Sequence, residues 1–123
     1  MTDLADNPPN YPFNESLEIS VVETQLNHEK KADDFLLLDI READELAVAS
    51  IDGALHIPMG DLPGKLGELD IEEDSQVAIL CRSGKRSLNA AVYMQQHGFT
   101  GARSVAGGIL WWSDRLDPSL TKY

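Results

Sequence analysis

Gln76–Ser87, QVAILCRSGKRS, is the stretch that decides the fold. Val77, Ala78, Ile79 and Leu80 form an unbroken apolar run, the pattern of a strand covered on both faces in a parallel sheet. The run ends at Cys81, the only cysteine of the chain. A short loop follows, with Gly84 and three cations, Arg82, Lys85 and Arg86. A helix is expected next, with Ser87 as its N-cap and Ser83 as the competing choice. Leu88, Ala91, Val92 and Gln95 would share one helical face, and Gly98 is the natural left-handed stop after His97. In open α/β sheets ligands bind beyond the carboxyl ends of the strands, which is where Cys81 falls. Gly84 lets the loop curl with its N–H groups inward, an anion-binding nest at a helix N-terminus.

The local charge opposes the rest of the chain. Formal net charge is −11, yet three cations lie within five positions of Cys81. A cationic pocket in an acidic protein points to a small anionic ligand and argues against nucleic acid and anionic membranes as partners. The same cations and the helix N-terminus favour a thiolate. A lone cysteine is ordinarily a small buried hydrophobe. At the tip of a strand, ahead of a glycine and three cations, it reads instead as a nucleophile.

Outward from this segment, strands alternate with helices. Residues 1–15, with Pro8, Pro9 and Pro12, are expected as a flexible N-terminal arm, and residues 16–123 as one folded domain. Residues 17–21 read as a short edge strand or as the lead-in to a helix over 23–30. Further strands are expected over 35–40, 54–57, 76–80 and 102–105, with a short helix over 42–47 and a weakly helical stretch over 61–69. This order implies a single α/β domain with a mostly parallel sheet of about five strands and helices on both faces. Glu68, Asp70, Glu72, Glu73 and Asp74 read as a solvated connection.

Four segments in order resemble the single-domain rhodanese family of thiosulfate sulfurtransferase-like proteins, over roughly residues 18–116. CRSGKRS is similar to that family's active-site loop. LLLDIREADEL resembles its strand-plus-turn signature, with Asp39, Arg41 and Glu42 in place. Gly53, Ala54 and Pro58 in IDGALHIP match the segment after it. GFTGARSVAGGILWW resembles the closing pattern, including Gly107, Gly108 and Trp112. Ala49, Ser50 and Ile51 depart from the family's Gly-His-Ile, and Trp111 stands where a small residue is common.

The resemblance implies a sulfurtransferase in which Cys81 takes up sulfur as a persulfide. The donor would be thiosulfate or a small persulfide, and the acceptor an external thiol or cyanide. Arg82, Ser83, Gly84, Lys85 and Arg86 are the expected substrate-binding residues, with Arg82 and Lys85 recruiting the anionic donor. Asp39, Arg41 and Ser87 are expected to support the loop, and Asp39, a carboxylate breaking an apolar strand, needs a partner. Two other readings stay open: a sulfur-carrying, partner-binding module with little thiosulfate turnover, and a phosphatase or arsenate reductase. The latter carry Cys-x5-Arg, whereas here the spacing is Cys81-x4-Arg86 with Ser87 at the longer position, which favours sulfur transfer.

No cofactor is implied. His28, His56 and His97 have no metal-ligand spacing with Cys81, so no metal is expected. Residues 1–14 lack the basic and apolar parts of a signal peptide, and no apolar run approaches membrane-spanning length. With a single cysteine there is no internal disulfide framework, and the expected location is cytoplasmic.

Overall fold

The apolar run of residues 77–80 divides its side chains between two cores, as successive residues of a strand must. Val77 and Ile79 enter one core with Leu38, Ile40, Ala90, Ala91 and Met94. Ala78 and Leu80 enter the other with Ile19, Leu37, Val105, Ile109 and Trp112. Ile79 and Leu80 are fully buried, and each such side chain contributes about 1.5–3 kcal/mol. The sheet is therefore sandwiched between helices.

The computed structural model describes residues 6–123. Its strands are β1 (Glu18–Ile19), β2 (Phe35–Asp39), β3 (Leu55–His56), β4 (Gln76–Leu80) and β5 (Ala102–Val105). They form one sheet in the order β1-β5-β4-β2-β3, with every pairing parallel. The helices are α1 (Val21–Glu29), α2 (Ala43–Val48), α3 (Leu62–Lys65), α4 (Lys85–Gln96) and α5 (Gly108–Arg115), with 3-10 turns flanking α3. The α3 segment and α4 supply Leu62, Leu66, Ala90 and Met94 to the first core. The start of α1 and α5 supply Val21, Ile109 and Trp112 to the second.

Strands β4 and β5 lie where the sequence places them. The edge strand near residue 18 is real but two residues long, and α1 starts earlier than expected because Ser20 caps it, accepting from the Glu23 N–H at 3.1 Å. The acidic connection is exposed at Glu68, Asp70, Glu72, Glu73 and Asp74.

The expected onset of α4 needs correction. Its N-cap is Gly84, at φ +101, and neither Ser87 nor Ser83. The left-handed glycine turns the chain sharply enough for the helix to start at Lys85, which puts Ser87 in the first turn. The buried face shifts accordingly to Ser87, Ala90, Ala91 and Met94. Gly98, at φ +96, follows the helix end as expected.

Of the expected N-terminal arm, residues 1–5 lie outside the described residues. From residue 6 the chain is tied to the domain. The Trp111 indole N–H donates to the Asp6 carbonyl at 2.7 Å, and the buried Glu18 carboxylate accepts from the Asn14 N–H at 2.8 Å and from the Tyr11 hydroxyl. Burial and the Glu18 carboxylate push the Tyr11 phenol well above its usual range. Trp111 thus has its N–H occupied and is only partly exposed.

Candidate active site

Strand β4 delivers Cys81 to the carboxyl end of the sheet, buried to 1% exposure. Its sulfur accepts from the backbone N–H groups of Gly84 at 3.1 Å and Ser87 at 3.4 Å. The Ser87 hydroxyl lies 3.2 Å from Sγ and 2.7 Å from the Ser104 hydroxyl, and both serines are fully buried. Ser87 therefore turns its side chain into the sulfur instead of capping the helix. Among the described residues, the backbone N–H groups of Arg82, Ser83, Lys85 and Arg86 make no hydrogen bond. Unpaired amides in the loop that holds the sulfur are suited to negative charge.

The loop is held from below by the start of α5. The Ile109 N–H donates to the Cys81 carbonyl at 2.9 Å, and the Leu110 N–H to the Arg82 carbonyl at 3.1 Å. Such close approach requires Gly108, at φ +63, because a Cβ there would lie 2.6 Å from the Cys81 carbonyl oxygen. The sequence places Gly107 and Gly108 in the closing pattern but predicts no helix after them, whereas α5 begins at Gly108.

Asp39 finds its partner in Arg41. The pair is bidentate, Nε to Oδ1 at 3.0 Å and Nη2 to Oδ2 at 2.8 Å, with both side chains essentially unexposed. Arg41 also donates to the carbonyls of Ala49 at 2.8 Å and Glu45 at 3.4 Å. Burial opposes the charge on Arg41, but hydrogen bonds with Asp39 and Tyr123 outweigh it and raise its pKa. A buried charge this well paired is a rigid post. It stands at the carboxyl end of β2, and β2 is hydrogen-bonded to β4.

The three loop cations are engaged differently. Arg86 pairs with Glu45 in a fork, at 2.7 and 2.8 Å, and so braces the loop against α2. That pairing holds the Glu45 carboxyl down at about 2, against the opposing effect of partial burial. Arg82 is exposed, and its Nε donates to the Tyr123 backbone oxygen at 2.6 Å. Lys85 is exposed and makes no ion pair among the described residues.

Glu45, Ser104 and Tyr123 are absent from the sequence-derived site. Only Glu45 leaves a local trace: it stands three residues after Glu42 and accepts the Glu42 N–H at 3.0 Å, as in a capping box. The histidines are turned to backbone carbonyls, His28 to Asp52, His56 to Arg41 and His97 to Tyr93. Among the described residues no group of three His, Cys, Asp or Glu side chains could hold a metal ion, and no helix is long and apolar enough to cross a membrane.

Fold and loop together define a parallel α/β domain presenting a buried cysteine at the carboxyl end of its sheet, with two backbone amides on the sulfur. The sequence profile described as "Rhodanese-like domain" matches residues 22–115, and the chain belongs to that family. It is 39% identical over 104 residues to the "Putative sulfurtransferase YtwF" of Bacillus subtilis strain 168, covering 83% of this chain and 98% of that protein. It is 41% identical over 81 residues to a "Sulfurtransferase" of Allochromatium vinosum, covering 66% of this chain and 74% of the relative. A rhodanese-related protein of Thermoplasma volcanium has a similar solved structure, with a TM-score of 0.64, 29% identity and coverage of 82% and 92% of the two chains.

Proposed function

We propose that this protein is a sulfurtransferase that carries sulfane sulfur on Cys81. The observation that supports it most is the sulfur's setting: two amides and a hydroxyl reach Sγ, while four neighbouring amides stay unpaired among the described residues. The Cys81 thiolate attacks the outer sulfur of thiosulfate. A new S–S bond forms, the old one breaks, and its electron pair leaves with sulfite. The result is a Cys81 persulfide whose outer sulfur carries the negative charge, stabilised by the loop amides as in an oxyanion hole. A thiolate or cyanide then attacks that outer sulfur and restores the Cys81 thiolate. A covalent intermediate of this kind gives ping-pong kinetics. A small persulfide serves as donor in the same way, with a thiolate as leaving group.

In this scheme Lys85 and Arg82 draw in the anionic donor, Arg86 braces the loop through Glu45, and Asp39 with Arg41 fixes its base. The sulfurtransferase names of the relatives support the same chemistry. A second reading, a sulfur-carrying module slow with thiosulfate, gains support from Glu45 and Tyr123. They engage Arg86 and Arg82, so that Lys85 is the loop cation left for a donor. Intact mass spectrometry after incubation with thiosulfate tests the proposal. A gain of one sulfur, reversed by cyanide and absent from Cys81→Ser, is expected. No gain with either thiosulfate or glutathione persulfide refutes it.

A further inference from the structure

Tyr123 lies 42 residues beyond Cys81 in sequence and outside the residues 22–115 that match the family. In space it adjoins the loop at several points. Its hydroxyl accepts from Arg41 Nη1 at 2.9 Å and donates to Glu45 Oε2 at 2.8 Å. Its ring lies 5.9 Å from the Arg41 guanidinium and 5.3 Å from that of Arg82, within cation–π range. Its backbone oxygen accepts from both Nε and Nη2 of Arg82. Those two N–H groups form the edge with which a guanidinium grips an oxyanion bidentately. Arg82 follows Cys81 directly in the loop, and its exposed guanidinium is open to an incoming anion on that edge once the edge is free. In this structure the Tyr123 backbone oxygen occupies that edge.

We infer that Tyr123 is a specificity-determining residue that sets the site's affinity for anionic sulfur donors by competing for the hydrogen-bonding edge of Arg82. The inference rests on the sulfur-transfer reading for the identity of the donor, and on geometry alone for the competition. The tail is anchored to rigid parts: Arg41 is fully buried, and Glu45 is fixed by Arg86 and by the start of α2. An oxyanion gains Arg82 only in the fraction of molecules whose tail has let go, and its apparent affinity is reduced by that fraction. A donor without an oxyanion does not meet this barrier. Tyr123 therefore discriminates against thiosulfate-like donors relative to persulfides that carry no oxyanion group.

Sulfate, an inert oxyanion of thiosulfate's shape and charge, reads the competition without any sulfur transfer. Its apparent Kd is measured by protection of Cys81 from iodoacetamide at constant ionic strength, which holds screening fixed. Tyr123→Ala removes the ring and hydroxyl anchors and should tighten sulfate binding about fivefold, as expected when contacts of this size hold the closed tail. Tyr123→Phe loses only the hydroxyl anchors and should tighten it less, which keeps the test open should Tyr123→Ala fold poorly. In an Arg82→Ala background, Tyr123→Ala should have no further effect. Tightening abolished by Arg82→Ala supports the inference, because a merely structural role for Tyr123 would weaken binding on truncation. Unchanged or weaker binding in both Tyr123 variants, tightening that survives Arg82→Ala, or no protection in any protein overturns it. Since sulfate needs no persulfide, a failure of Cys81 to take up sulfur would leave this result readable.

Discussion

Replacing Gly108 with alanine strikes the point where α5 supports the reactive loop. At φ +63 the left-handed conformation costs a non-glycine residue about 1 kcal/mol. The added Cβ would lie 2.6 Å from the Cys81 carbonyl oxygen and equally close to the Arg82 carbonyl carbon. Both neighbours are backbone, so the two segments must separate. Separation weakens the bonds from Ile109 to Cys81 at 2.9 Å and from Leu110 to Arg82 at 3.1 Å, at about 1 kcal/mol each. The total, about 3 kcal/mol, is a large share of the roughly 5–15 kcal/mol typical of a domain. For a chain of this size it corresponds to a fall in Tm of about 10–15 °C. Calorimetry on Gly108→Ala measures this directly, with Gly64→Ala as control, since nothing lies within 4 Å of a Cβ there. The rate of persulfide formation should fall with it, because the Cys81 carbonyl and Sγ belong to the same displaced residue. A loss of less than about 3 °C, or a comparable loss in Gly64→Ala, would refute the reasoning.

Truncating Arg41 to methionine leaves the Asp39 carboxylate buried without its partner. Urea unfolding should show a loss of about 3–5 kcal/mol, partly restored by adding Asp39→Leu. Glu45 titrates at about 2 in the folded protein, below its unfolded value of 4.5, so its contribution is present above pH 4.5 and lost as pH falls toward 2. Wild type should accordingly exceed Glu45→Gln in stability at pH 6, and the gap should narrow steadily as pH falls from 4.5 toward 2; a constant gap would deny the pairing an electrostatic role. Lys85→Ala should raise the thiosulfate KM several-fold with kcat nearly unchanged, and an unaltered KM would remove Lys85 from donor capture.

The sheet was legible because its signals are local. Residues 77–80 are apolar on both faces, and strands β4 and β5 fall where that pattern and the flanking glycines put them. Cys81 at the strand end and Gly98 after α4 follow from the same punctuation. The onset of α4 misled because serine is a good cap wherever it stands, while the decisive fact is the left-handed Gly84 three residues earlier. Ser87 is worth more facing a buried sulfur than capping amides that the loop keeps free. The rest of the site is assembled by distance in sequence: Arg86 meets Glu45 across 41 residues, Arg41 meets Tyr123 across 82, and Ser87 meets Ser104 across 17. Such pairings follow from the strand order, which no local pattern encodes. Helix α5 was hidden for another reason, since GGILWW offers no polar cap and its first turn is spent on the carbonyls of the loop.

The two outermost strands, β1 and β3, are only two residues long. A sheet's unpaired margin is the template on which foreign strands add and fibrils grow, and the length of the margin sets how firmly an intruder is held. Here β4 is flanked by strands on both sides, and each rim strand offers few free peptide groups to secure a neighbour. A molecule carrying a net charge of −11 also repels its own kind. Crowding and partial unfolding should therefore threaten this protein less through strand exchange at its rims than through exposure of its two apolar cores.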